Sequence, residues 1–377
     1  MQAKNKNIKK NKITQAFEES KKEKVDCTKP LKDTWGDGKA KDWRGKKLLS
    51  QKLVKSYKRL AEKNKIRAEK KYYLSKAARV TNCTDKIYFK GTAESKRLYK
   101  ASFCRIRLCP ICMWRRSLKV FGQVSKIMTQ IEEYYDYRYL FLTLTVKNVS
   151  GKDLDSTTTA LLKAFQRMID YKEISNTVHG WFRALEVTHK FKQGDFHPHI
   201  HAVLAVSPTY FQPQSFQYIT QARWTEYWQK ALNSIGYDFG KHTVVNIKKV
   251  KNKTSEKSKK PGYSKVIAEI SKYTVKSVDY LHPSDNNKKY QDYTDNAVVV
   301  LDKALHKRRL IAFGGRFKKI HAALNLDDPT EGNLVITDNE ELRDDIAEVI
   351  FAYRWSVGSG VKFKSDYYQV VDESENS

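Results

Sequence analysis

The sequence predicts an α+β fold built on a ferredoxin-like antiparallel sheet, on three observations. Residues 139–146 (YLFLTLTV) form a β-branched and apolar run of strand length. Residues 180–189 (GWFRALEVTH) and 196–206 (FHPHIHAVLAV) are two more such runs, joined by Lys192-Gln193-Gly194-Asp195, a hairpin-type turn. Over 153–170, between the first strand and this hairpin, Leu161, Leu162, Phe165 and Met168 recur at helical spacing. A helix over about 215–232, a strand over 242–250 and a last helix over about 264–278 complete the order β-α-β-β-α-β plus helix, which is that of a ferredoxin-like sheet.

The elements before this block differ in character. Residues 1–45 are rich in Lys, Asn and Glu with isolated Trp35 and Trp43, the composition of a flexible tail. From Leu48 to about Arg79 helix formers dominate and the predicted helix is basic. Residues 46–130 are therefore expected as a helical and cysteine-bearing DNA-binding region and 131–282 as the sheet domain. Residues 283–377 are expected as a C-terminal extension with an acidic tail. Tyr353-Arg354-Trp355-Ser356 followed by Gly358-Ser359-Gly360 reads as a hairpin.

Composition narrows the function. Of 377 residues, 40% are hydrophobic and 12% aromatic, enough for packed cores, so disorder throughout is excluded. Lys and Arg number 72 against 42 Asp and Glu, a net charge of +30. No run approaches the ~18 apolar residues of a membrane span, and the N-terminus has no apolar signal core. A cytoplasmic protein that meets a polyanion is expected rather than a secreted or membrane one. The charge is uneven, +26 falling on residues 1–130 and only +3 on 131–250, with a second basic run at 251–260. The front half is thus expected to hold nucleic acid.

Two clusters carry chemistry. Cys104, Cys109 and Cys112 supply three thiols within nine residues, and Cys83 lies upstream. That set suits tetrahedral Zn²⁺, which takes about four N or S ligands. The first histidine is His179, so a local site is all-cysteine, with Cys83 as fourth ligand and Cys27 as the alternative. Arg105, Arg107, Arg115 and Arg116 surround the cysteines and are candidate DNA contacts. Further on, His197, His199 and His201 alternate along a strand and share one face. If Gln193-Gly194 is a two-residue turn, Lys192 pairs with Asp195 and Glu186 sits opposite His201. One carboxylate and two imidazoles with open positions suit Mn²⁺ or Mg²⁺ holding a phosphate oxygen. On the last helix Glu269, Tyr273 and Lys276 fall on one face. A tyrosine hydroxyl beside an activated phosphate can exchange one phosphate ester for another. Tyr263 and Tyr280 are rival nucleophiles.

In order, FLTLT (141–145), HPHIH (197–201) and EISKY (269–273) resemble the three motifs of HUH-type rolling-circle replication initiators, the single-tyrosine type of small Gram-positive plasmids above all. CRIRLCPIC (104–112) and RRLIAFGGRFKKIHAAL (308–324) are also similar to that family. The resemblance implies a protein that binds a double-strand origin of plasmid DNA and nicks one strand. Tyr273 would become joined to the 5′ phosphate, and the freed 3′-OH would prime a host polymerase, with a helicase recruited. It further implies His199 and His201 as paired metal ligands, Glu186 as third ligand and Glu269 as the group that activates water for termination. His197 is additional to the pair, and Lys276 is a candidate contact to the scissile phosphate. Tyr280 lies seven residues after Tyr273, which does not match two-tyrosine relatives. An HUH relaxase or transposase, or a non-catalytic nucleic-acid binding module, are the alternatives. The oligomeric state is left open.

Overall fold

A computed structural model describes residues 31, 33–34, 38–91, 96–191, 194–237, 243–250, 267, 277–337, 349–357 and 367–371. Most of the expected tail lies outside them, as do Cys27, Tyr263, Glu269, Tyr273, Lys276 and the basic run 251–260.

The chain begins with a helical hairpin. In α1 (Trp43–Lys63) buried Trp43, Lys47, Ser50, Leu53, Tyr57 and Ala61 recur every three or four residues, and the Asp42 carboxylate caps the first turn by accepting from the Gly45 amide at 2.9 Å. A turn at 64–66 leads into α2 (Arg67–Thr81), which runs back along α1. Lys47, near the start of α1, donates to the Thr81 carbonyl at the end of α2 (3.0 Å), and the Tyr57 and Tyr73 rings stack at mid-length. Strands β1 (Lys86–Gly91) and β2 (Lys96–Ala101) follow, then the long α3 (Pro110–Tyr134), opened by a proline where the missing amide costs nothing.

The block expected as ferredoxin-like comes next. It comprises β3 (Arg138–Thr145), α4 (Leu154–Ile169), the short α5 (Lys172–Thr177), β4 (Val178–Lys190), β5 (Asp195–Val206), α6 (Gln221–Ser234) and β6 (Val245–Lys249). The sheet order is β6-β3-β5-β4, every pairing antiparallel, which is the 4-1-3-2 arrangement of that fold. The fold is thus α+β, as the sequence pattern predicts. Helix α6 starts later than expected because Pro208 and Pro213 occupy the approach and Thr220 caps it, accepting from the Arg223 amide.

The C-terminal stretch does more than extend the domain. After α7 (Ser277–Tyr280) and α8 (Lys288–Ala304), β7 (Ile311–Gly314) joins the edge of the large sheet beside β4, and α9 (Gly315–Ala323) folds back over it. Gly315 makes that reversal possible: its φ is +53°, and a Cβ there would collide with the His179 carbonyl and Gly180. Strands β8 (Val349–Ser356) and β9 (Tyr367–Val371) pair as the C-terminal hairpin reading expects. β8 also pairs with β1, giving a small sheet β2-β1-β8-β9 drawn from both ends of the chain. Trp43, Phe89, Trp114, Tyr353 and Tyr368 meet edge-to-face beneath it.

Strand alternation divides the large sheet. Leu140, Leu142, Leu144, Leu185, Ile200 and Leu204 point to one side and are buried against α4 and α6, each worth roughly 1.5–3 kcal/mol of burial. Tyr139, Phe182, Ala184, Val203 and Ala205 point to the other and pack on α3 and α9. Along β4 and β5 this second face then changes chemistry, from Ala184 to Glu186 and from Val203 to His201 and His199.

The hairpin register corrects one expectation. Lys190, not Lys192, faces Asp195, because residues 191–194 make a four-residue connection. Glu186 therefore sits opposite His199, and Ala184 opposite His201. The shift is two residues, and with a side-chain period of two it leaves Glu186 on the same face.

Candidate active site and metal centres

The first centre sits where β4 and β5 carry Glu186, His199 and His201 on the α3–α9 face of the sheet. Glu186 Oε2 lies 3.4 Å from Nε2 of His199 and 3.4 Å from Nε2 of His201. Such separations are long for hydrogen bonds but match donor atoms sharing one cation, which at ~2.1 Å per bond lie about 3.0–3.5 Å apart. Each imidazole is held from its other nitrogen. His199 Nδ1 donates to the His197 carbonyl at 3.1 Å, and His201 Nδ1 bonds the Thr143 hydroxyl at 3.0 Å. These bonds aim both Nε2 atoms at one point, the arrangement that orients metal-binding histidines. The His201 ring also stacks on Phe141. The three side chains are nearly buried, about one-tenth exposed. A mixed N/O set of three, with no fourth donor in the group among the described residues, suits a cation that also takes a substrate oxygen. His197 lies at the rim, its Nδ1 2.9 Å from Asn148 Oδ1.

Tyr273 and Glu269 lie outside the described residues, but their neighbours in sequence do not. Ile267 is fully buried in the cluster that lines this face of the sheet. On the other side of the gap, the Asp279 carbonyl is 2.9 Å from Nδ1 of His189 at the end of β4. Burial lowers the pKa of that histidine, so the neutral ring donates to the carbonyl. Tyr280 is fully buried, and its hydroxyl donates to the Leu108 carbonyl, which rules it out as a nucleophile for an external phosphate.

The second centre joins the four expected cysteines. The Sγ atoms of Cys83, Cys104, Cys109 and Cys112 all lie within 4.8 Å of one another, with three of the pairs at 3.6 Å. A tetrahedron with ~2.3 Å metal–sulfur bonds has edges of about 3.8 Å, so the donor set fits zinc. Backbone amides of Cys104 and Arg105 point at the sulfurs of Cys83 and Cys112, at 3.5 and 3.3 Å, as donors to thiolates do. Lys47 adds a charge that sequence spacing did not reveal. Its ammonium is buried beside the cluster and donates to the Cys83 carbonyl at 2.6 Å; burial lowers its pKa against the pull of the thiolates.

Residues 95–361, a span holding the sheet, the Glu/His centre and three of the four cysteines, match the family model described as Replication protein. The chain belongs to this family of plasmid rolling-circle replication initiators. It is 37% identical over 331 residues to Protein rep of Bacillus amyloliquefaciens, covering 85% of this chain and 92% of that one. Protein rep of Streptococcus pneumoniae serotype 2 (strain D39) is 35% identical over 309 residues, 81% and 87% of the two chains. Protein rep of Lactiplantibacillus plantarum is 33% identical over 318 residues, 82% and 90%. No solved structure matches the chain. Among the described residues no helix is long and apolar enough to cross a membrane.

In this initiator two of the four arginines around the cysteines are buried. Arg115 is 1% exposed and donates to the carbonyls of Leu334 and Val335; Arg116 is 7% exposed and donates to those of Thr330 and Arg105. Arg107 pairs with Glu331, and Arg105, though exposed, donates to the Glu331 carbonyl. Lys119 and Gln123 bind Asp327. For Arg115 and Arg116 the expectation is corrected: their charge fastens segment 327–335 across α3. The sequence could not show this, because the Leu334, Val335 and Thr330 carbonyls that tie down the segment lie more than two hundred residues away.

Proposed function

We propose that this initiator nicks one strand of its plasmid origin through Tyr273, in the bacterial cytoplasm, and so starts rolling-circle replication. The observation that carries the reading is the convergence of Glu186, His199 and His201 on one nearly buried face with a common focus. These three would hold Mn²⁺ or Mg²⁺, which when bound would stabilise charge on the scissile phosphate. The Tyr273 hydroxyl oxygen attacks phosphorus, the P–O3′ bond breaks, and the 3′ oxygen takes up a proton to leave as a free hydroxyl. The 5′ phosphate remains esterified to tyrosine. One phosphate ester replaces another, so the step is reversible and suits strand closure by a later 3′-OH, while Glu269 activates the water that hydrolyses the last phosphate ester at termination. Lys276, seven residues after Glu269 in sequence, contacts the scissile phosphate. Support for Tyr273 comes from its neighbours: Ile267 is buried on the Glu/His face and Asp279 is fixed at the end of β4, with nine residues, 268–276, between the last described positions. The four cysteines hold structural Zn²⁺, and the free 3′-OH primes a host polymerase, with a helicase recruited to unwind the duplex.

Supercoiled plasmid carrying the cognate origin, incubated with the protein and Mn²⁺, is expected to yield a denaturation-resistant protein–DNA adduct. Tyr273→Phe abolishes it and Tyr280→Phe does not. An adduct that persists in Tyr273→Phe would falsify the assignment. Glu269→Ala is expected to keep nicking and lose termination.

A further inference from the structure

The first helical hairpin carries charge that nicking does not use. Of the 15 residues of α2 only Ala77 and Val80 are buried, with Tyr73 and Lys76 completing the inward stripe. The opposite face presents Arg67, Lys71, Ser75 and Ala78 one turn after another, with Ala68 and Arg79 beside them, all exposed. Exposed Leu74 lies on the flank. The cations of α1 are spent differently. Arg59 and Lys63 pair with Asp295, Lys63 also with Asp292, and Lys55 with Asp285, all on or just before α8. Arg67 and Lys71 have no carboxylate partner among the described residues.

The helix is also fixed in place. Lys76 and Tyr72 bind Asp302 of α8, and Arg79 donates to the Cys104 carbonyl at 2.6 Å, beside the cysteine centre. A rigid helix of 15 residues is ~22 Å long and, with side chains, ~10–12 Å wide. The major groove of B-DNA, ~12 Å wide, admits such a helix. Small Ala68, Ser75 and Ala78 let the backbone approach base edges, while Arg67 and Lys71 at the N-terminal end of the stripe reach phosphates.

We propose that α2 docks in the major groove of duplex DNA, with Arg67 and Lys71 on phosphates and Ser75 and Ala78 turned to the base edges. This rests on the reading of the chain as an origin-binding initiator and names the element that does the holding. A site at α2 also separates duplex recognition from the strand chemistry of the Glu/His face.

The test is fluorescence anisotropy of the full chain on a duplex bearing the plasmid origin and on the single strand alone, at several salt concentrations. Arg67→Ala combined with Lys71→Ala is expected to weaken duplex binding about ten-fold or more and to lower the salt slope by about two. Adduct formation on the single-stranded oligonucleotide stays unchanged. Lys163→Ala with Arg167→Ala, an exposed Lys/Arg pair of equal spacing on α4, controls for net charge and should leave duplex affinity within about two-fold. Duplex binding by the α2 variant at the native level, or equal losses in both variants, would overturn the proposal. A native chain that fails to bind the origin duplex at all would instead overturn the origin-binding reading.

Discussion

Thr143 decides how His201 presents its ring. The hydroxyl holds Nδ1 at 3.0 Å and leaves Nε2 turned toward Glu186. Thr143→Val keeps the shape and removes only that bond, so Mn²⁺ affinity measured by titration calorimetry should fall about 10–100-fold while the melting temperature barely moves. An unchanged affinity would mean that the Phe141 stack alone orients the ring. Tyr280 is the opposite case, a tyrosine that matters to folding and not to chemistry. Tyr280→Phe leaves the Leu108 carbonyl without its donor in the core, an expected cost of about 1–3 kcal/mol in urea unfolding. At this scale the candidate site was largely legible: alternating histidines and a preceding strand carboxylate place three side chains on one face by pleat alone. Thr143 was not singled out, because FLTLT shows a threonine but not that β3 pairs with β5 in the register that sets Thr143 beside His201.

At the scale of elements, legibility followed locality. β3, α4, β4, β5 and β6 each declare themselves by a period of two or 3.6 within their own residues. The hairpin register was misread by two, since Gly194 marks a turn but not the length of the loop around it. β7 is only four residues long and its pairing with β4 spans more than a hundred residues, so no local pattern announces it. The same applies to α3, whose arginines read as a DNA-facing patch and instead bind segment 327–335. Arg115→Met would leave the Leu334 and Val335 carbonyls unpaired. It should destabilise the chain by about 2–4 kcal/mol in urea unfolding with origin affinity within about two-fold of native. A variant of native stability and weakened DNA binding would restore the DNA role of Arg115.

For the whole molecule, the cysteine centre and the charge distribution are one subject, since α1, α2 and α3 meet at the cysteines. The four thiols sit in the main core beside Trp43, Leu53 and Ile111, too close together to be left charged without a cation. Stoichiometric zinc is expected by elemental analysis, with chelation or Cys109→Ser lowering the melting temperature; a native, zinc-free chain would exclude it. The charge argument then changes. Residues 1–130 carry +26, and if all of it met phosphate the salt slope would approach about −23. Yet Lys55, Arg59, Lys63 and Lys76 are paired with α7–α8 carboxylates, and Arg107 and Lys119 with those of 327–331. Arg115 and Arg116 are consumed by carbonyls. Eight of the 37 Lys and Arg of residues 1–130 therefore hold the C-terminal stretch onto the N-terminal one. The expected slope of log K against log salt for the origin duplex is shallower than about −16, measured by anisotropy over a few-fold range of salt. A slope near −20 would mean that these internal pairs open when DNA binds, with segment 327–335 released from α3 to expose its arginines.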